Sequence, residues 1–215
     1  DIVNCIRYAV RHRRADGWMP DRVTTDGLAV YAAGIAAAPV GEANLDNTPF
    51  LIFTVDSLSR RMDTDAFLPL FTEWEAVLEQ GLFLLPIDEN GLVYNDVQKP
   101  HSPYGFTDTM ESLLYWRACR MMEHMCKTYG VGNPDHFAEA AEAVERSLSL
   151  LFDPAAGAFY AATKDCHQYD IWGMAYMLYI GFPCSADEKQ AVLSFLEKNY
   201  DACVYRGQVR HLLKG

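Results

Sequence analysis

Asp46, Asp108 and Asp170 are spaced 62 positions apart in both intervals, and each closes a loop just before an apolar stretch. Asp46 sits in Asn44-Leu45-Asp46-Asn47-Thr48-Pro49-Phe50, Asp108 follows Tyr104-Gly105-Phe106-Thr107, and Asp170 precedes Ile171-Trp172-Gly173. A carboxyl at such a place has two uses. It can accept backbone N–H groups as a helix cap, or, kept protonated by burial among rings, it can donate a proton as a general acid. Asp108, beside Tyr104 and Phe106, is the candidate acid. The plain structural use competes with it, because Asp108 and Glu111 also read as a capping box, and a helix N-terminus favours the ionised form. Asp46 and Asp170 are candidates for caps that also touch a ligand.

Aromatic rings that could stack on an apolar ligand face are Trp18, Tyr31, Tyr104, Phe106 and Trp172; for Trp172, inside an apolar helix, core packing is the expectation. His101, His167, Arg210 and His211 fall in loops or at an extended end. Asp165-Cys166-His167 are consecutive and cannot easily face one ion, so neither a metal nor a cofactor is expected. The six cysteines lack CxxC spacing, and Cys119 and Cys126, roughly 10 Å apart along one helix, are too distant to bridge. Most read as buried thiols, either of a reducing compartment or of a chain that does not depend on bridges.

The elements that must position these groups alternate in type. Residues 1–14 form a helix ending in basic residues, and 15–45 form a long Gly-, Ala- and Pro-rich loop holding Asp21, Arg22 and Tyr31. A helix from Asn47 to Met62 has apolar residues most of the way round and should be buried on most sides. The next, after the cap candidate Asp65, has Glu73, Glu75 and Glu79 opposite its apolar stripe and should lie at the surface. The alternation repeats over 108–129 with 134–151 and over 171–180 with 186–199, where Ser185 to Glu188 forms a capping box. The fold class expected is all-α: one domain of stacked hairpins, roughly 46–107, 108–169 and 170–215, with every inner helix starting on one rim.

The chain has 215 residues, half of them hydrophobic, and a formal charge of −11. That charge argues against nucleic acid and anionic membrane as partners. No apolar run reaches the ~20 residues of a membrane span.

Asp16-Gly17-Trp18-Met19-Pro20, Asn44 to Phe50, Gly91-Leu92-Val93-Tyr94, Tyr104 to Asp108, Asp170 to Gly173 and Gly207-Gln208-Val209-Arg210-His211 together resemble the six-hairpin glycosidases, similar to glycogen-debranching and trehalase-like domains. The resemblance implies an (α/α)6 toroid with a carbohydrate bound at the inner helix starts and two carboxylates that hydrolyse the glycosidic bond, usually with inversion. It implies Asp108 as general acid, with Asp46, Asp170, Trp18, Tyr31, Tyr104, Phe106, Arg210 and His211 facing substrate. At about 62 residues per hairpin a full ring takes roughly 370, so these 215 make an incomplete toroid. The general base would then lie outside it, and another chain or segment would complete the ring. Two other readings stay open: an epimerase on a similar toroid using His101, His167 and His211, and a non-catalytic carbohydrate-binding or assembly fragment.

Overall fold

The computed structural model describes residues 1–35, 38–40, 44–95, 106–162 and 168–210; for 33–35, 38–40, 95, 106 and 107 only the backbone is described. In chain order the helices are α1 (Ile2–Arg11), α2 (Asn47–Ser59), α3 (Thr64–Leu82), α4 (Thr109–Tyr129), α5 (Pro134–Ser147), α6 (Ile171–Ile180), α7 (Ala186–Lys198) and α8 (Tyr200–Cys203). The strands are two or three residues long and pair only as small antiparallel hairpins: β1 (Arg22–Val23) with β2 (Ala29–Val30), β3 (Ala33–Ile35) with β4 (Ala38–Val40), β5 (Tyr94–Asn95) with β6 (Phe106–Thr107), β7 (Phe152–Asp153) with β8 (Ala158–Phe159), and β9 (Val204–Tyr205) with β10 (Gln208–Val209). Helix dominates, as the periodicity requires.

Contacts group the chain into two compact units. The first takes in residues 1–86 and Arg117–Ala141 and is built on Met19, Ile52, Phe71, Trp74, Met122 and Phe137, all fully buried. Of the described residues, the second takes in 87–95, 106–116, 142–162 and 168–210 and is built on Leu113, Leu151, Phe159, Ile171, Met174 and Val192. α4 and α5 each contribute to both.

Local chemistry sets the helix ends. Ser185 accepts the Glu188 N–H at 3.1 Å while Glu188 accepts the Ser185 N–H at 2.9 Å, so the capping box at α7 forms in full. α6 stops at Gly181, whose φ of +67° suits the left-handed turn that ends a helix. α3 begins at Thr64 with Asp63, not Asp65, in the cap position, and Asp65 lies inside its first turn.

Two expectations about helix faces need correction. Glu75, assigned to the polar face of α3, is buried. α2 buries Asn47, Thr48, Pro49, Ile52, Val55 and Asp56, but its Phe50 and Thr54, read as part of its apolar surround, form an exposed strip. A helical wheel gives the direction of a residue, and only the neighbours decide whether that direction is covered.

Candidate active site

In the second unit, the first turns of α4 and α6 are tied to one short segment of backbone. Thr109 N–H donates to the Ala161 carbonyl at 3.0 Å, and Thr109 Oγ1 to the Tyr160 carbonyl at 2.6 Å. From the same segment, Ala161 N–H donates to the Gln168 carbonyl at 2.7 Å, and the Phe159 carbonyl accepts from Asp170 N–H at 3.0 Å. Asp108 forms a bridge with Ala162 and donates its N–H to the Val93 carbonyl at 3.0 Å. Residues 159–162 are therefore the element that holds two helix starts, and with them two aspartates.

Both aspartates cap. The Glu111 N–H donates to Asp108 Oδ1 at 3.0 Å, and the Gly173 N–H donates to Asp170 Oδ1 at 2.8 Å. The Asp108 N–H is committed to Val93, so only half of the expected capping box with Glu111 exists. Both residues are almost enclosed, with 8% of Asp108 and 1% of Asp170 exposed. Burial raises Asp108 to about 6 against the pull of the Glu111 and Met110 N–H groups. Burial raises Asp170 to about 7, opposed by N–H groups of Gly173 and Trp172, and the Asp108 charge adds to the rise. Desolvation thus outweighs the helix N-terminus at both positions.

Asp46 behaves differently. It occupies the cap position of α2, yet its side chain makes no capping hydrogen bond, which corrects the expected role. The reason is local: its backbone is helical (φ −83°, ψ −10°), whereas a side chain caps from an extended backbone. Its carboxyl is pushed up by burial and then by the nearby Asp21 charge, against its own backbone N–H. It lines a cavity of about 280 Å³ in the first unit together with Tyr8, Asp21, Arg22, Asn47 and Phe50. Asn47 holds this corner by donating from Nδ2 to the carbonyls of Met19 at 2.9 Å and Tyr31 at 3.0 Å. Asp21 is ion-paired to Arg22, which also donates to the Ala32 carbonyl at 3.1 Å. The exposed ring of Phe50 forms part of the cavity wall.

The remaining expected site residues divide four ways. Trp18 is half-buried and Tyr31 donates its hydroxyl to the His12 carbonyl at 2.6 Å with Arg14 over its ring; neither is among the cavity residues. Arg210 lies with its guanidinium 4.9 Å from the Tyr205 ring centre. Tyr104 and His211, the side chain of Phe106, and the epimerase candidates His101 and His167 lie outside the described residues. Trp172, expected in the core, is 47% exposed. Sequence reasoning noted Asp21 and Arg22 as loop residues but gave them no place in a site. Among the described residues no cluster of His, Cys, Asp and Glu could hold a metal.

No protein-family model and no curated protein matches the sequence. Solved structures do match the fold. A rhamnosidase from Klebsiella oxytoca with rhamnose bound superposes with a TM-score of 0.71 at 11% identity, covering 92% of this chain and 37% of its own. A GH63 mannosylglycerate hydrolase from Thermus thermophilus in complex with glucose gives 0.70 at 14% identity, covering 97% of this chain and 66% of its own. A GH78 rhamnosidase of Bacillus gives 0.66 at 16% identity, with 91% and 20% covered. The fold is that of the six-hairpin glycosidases. The chain is an all-α, partial (α/α)6-type domain, and it spans about a fifth to two thirds of these six-hairpin proteins. At such identities the likeness is one of fold.

Proposed function

We propose that the chain is part of a glycoside-hydrolase domain that binds a carbohydrate and supplies the proton donor for cleavage of a glycosidic bond. The six-hairpin fold supports the reaction class. The observation that carries the reading is the state of Asp46. Its carboxyl is raised by burial, is not used to cap α2, and faces an open cavity. A general acid needs those three properties: a proton to give, freedom from a structural bond, and access to the leaving oxygen.

In this mechanism protonated Asp46 donates to the glycosidic oxygen as the bond to the anomeric carbon breaks. A second carboxylate activates water on the opposite face of the sugar, which gives inversion. We assign that base to a segment outside these 215 residues, in a further hairpin or a partner chain that completes the ring. The hairpins 46–107, 108–169 and 170–215 are then the units of one partial toroid. The ligand class is a sugar, as in the rhamnose and glucose complexes of the fold neighbours.

A second reading keeps Asp108 as the acid, favoured by its raised pKa of about 6 and the adjacent Asp170. Its Oδ1 is committed to the Glu111 N–H, however, and little of the residue reaches the surface. Reducing-sugar release from a panel of glycosides, assayed together with the segment or partner that supplies the base, separates the two. Asp46→Asn should lower turnover about 10²–10⁴-fold, with Asp108→Asn affecting mainly stability. The reverse pattern would make Asp108 the donor.

A further inference from the structure

Asp46 is flanked in the chain by two asparagines that both reach back to the segment around β1. Ahead of it, Asn44 donates from Nδ2 to Asp21 Oδ1 at 3.2 Å, and its N–H donates to the Tyr31 carbonyl at 2.9 Å. Directly after it, Asn47 holds the carbonyls of Met19 and Tyr31. Asp21 is anchored from its own side too: its N–H donates to the Val30 carbonyl at 2.7 Å, and its Oδ2 takes the Arg22 guanidinium. Both oxygens of Asp21 are thus engaged, and its charge is held in place on the wall of the cavity that Asp46 lines. The Arg22 Nη1 that pairs with it is shared with the Ala32 carbonyl. The other ionisable groups lining the cavity, Cys5 and Tyr8, come from α1, and the Tyr8 hydroxyl donates to the Gly27 carbonyl.

We propose that Asp21 is a positioning residue for Asp46: braced by Arg22 and Asn44, it keeps a fixed negative charge beside the Asp46 carboxyl, so that the proton is retained there for a ligand. The physics is Coulombic. A second negative charge on Asp46 is repelled by the first, and where burial has partly stripped water away that repulsion is stronger than in bulk solvent. The Asp46 carboxyl is accordingly pushed up by burial and then by the Asp21 charge. The two asparagines make the effect durable, because their hydrogen bonds keep the segments 19–22 and 44–47 from parting to relieve the repulsion. Asp21 touches no reacting atom in this account and acts only through Asp46. The proposal rests on the reading of Asp46 as the proton donor and adds the group that readies it.

Carbon-13 NMR of the 215-residue chain, labelled at its aspartate carboxyls, follows the Asp46 titration, with Asp46→Asn identifying the resonance. Asp21→Asn keeps an acceptor on the cavity wall but removes the charge, and it should move the Asp46 titration to lower pH. Asp21→Glu keeps the charge and should restore most of the wild-type position. The separation between wild type and Asp21→Asn should narrow at high salt, because Asp21 is exposed and its field is screened. A titration that Asp21→Asn leaves in place, or that Asp21→Asn and Asp21→Glu lower alike, would overturn the fixed-charge role. Should Asp21→Asn fail to fold by circular dichroism, Asp21→Ser removes the same charge and is read by the same two outcomes. With the base-bearing segment or partner present, the alkaline limb of the kcat/KM profile should also shift to lower pH in Asp21→Asn, since the acid then loses its proton earlier. A limb that stays in place would overturn the proposal. The titration is read without substrate, so its failure is distinct from failure of the donor assignment, which the Asp46→Asn turnover decides.

Discussion

Asp108 and Asp170 are held by the same strip of backbone: Asp108 bridges Ala162, and the Asp170 N–H donates to the Phe159 carbonyl at 3.0 Å. The strip brings two buried carboxyls at the heads of α4 and α6 close enough for the charge on one to raise the pKa of the other. Local contacts do this, through residues 159–162.

That arrangement predicts how stability changes with pH. Both carboxyls are raised, Asp108 to about 6 and Asp170 to about 7, from an ordinary value of 3.8. Across that window the folded chain binds more protons than the unfolded one, so stability falls as pH rises. The contribution of the pair is complete below 3.8 and lost as pH passes through about 6 and then about 7. Asp170→Asn keeps an acceptor for the Gly173 N–H but cannot ionise. Urea midpoints measured from pH 4 to pH 8 should fall less steeply for the variant than for the wild type, and an unchanged slope would remove Asp170 from the account.

Gly173 is the residue that lets Asp170 fold back over its own helix. A Cβ there would stand 2.7 Å from Asp170 Cγ and 3.1 Å from Thr109 Cγ2. Glycine to alanine inside a helix normally gains about 1 kcal/mol. Here Asp170 would have to swing away and lose its cap bond, so Gly173→Ala should instead destabilise by about 1–3 kcal/mol. Denaturant unfolding decides the sign.

Glu75 illustrates what the sequence leaves undetermined. The spacing of α3 marks its apolar stripe, and Phe71, Trp74 and Leu78 are buried as that stripe requires. The same spacing puts Glu75 among the solvated acids, yet Gly132 closes over it: a Cβ on that glycine, at φ +76°, would lie 2.5 Å from Glu75 Cδ. Long-range contact between α3 and the loop after α4 is invisible to periodicity. The all-α class, the caps at Asp108 and Asp170, and the box at Ser185 were legible, because each is written within a few residues. The side-chain freedom of Asp46, its nearness to Asp21 and the exposure of Trp172 were not, because each depends on what distant residues cover.

Burial, followed by the charge of Glu79, raises the Glu75 carboxyl, and its Oε1 has no hydrogen-bond partner among the described residues. Ionising it in the folded chain is costly, so its contribution to stability is also lost as pH rises. Glu75→Gln should raise the urea midpoint at pH 8 and leave it nearly unchanged at pH 4. A lower midpoint at pH 8 would mean that the carboxylate is stabilised where it lies.

The central claim is that Asp46 delivers a proton to a departing sugar oxygen, and leaving-group dependence tests it most directly. Hydrolysis of methyl glycosides needs that proton, whereas a glycosyl fluoride departs with little help. With the base-bearing segment or partner present, Asp46→Asn should therefore lose about 10²–10⁴-fold on methyl glycosides while keeping most of its turnover on the matching fluoride, both followed by NMR. Equal losses on the two substrates, or none on either, would contradict the assignment of Asp46 as the acid.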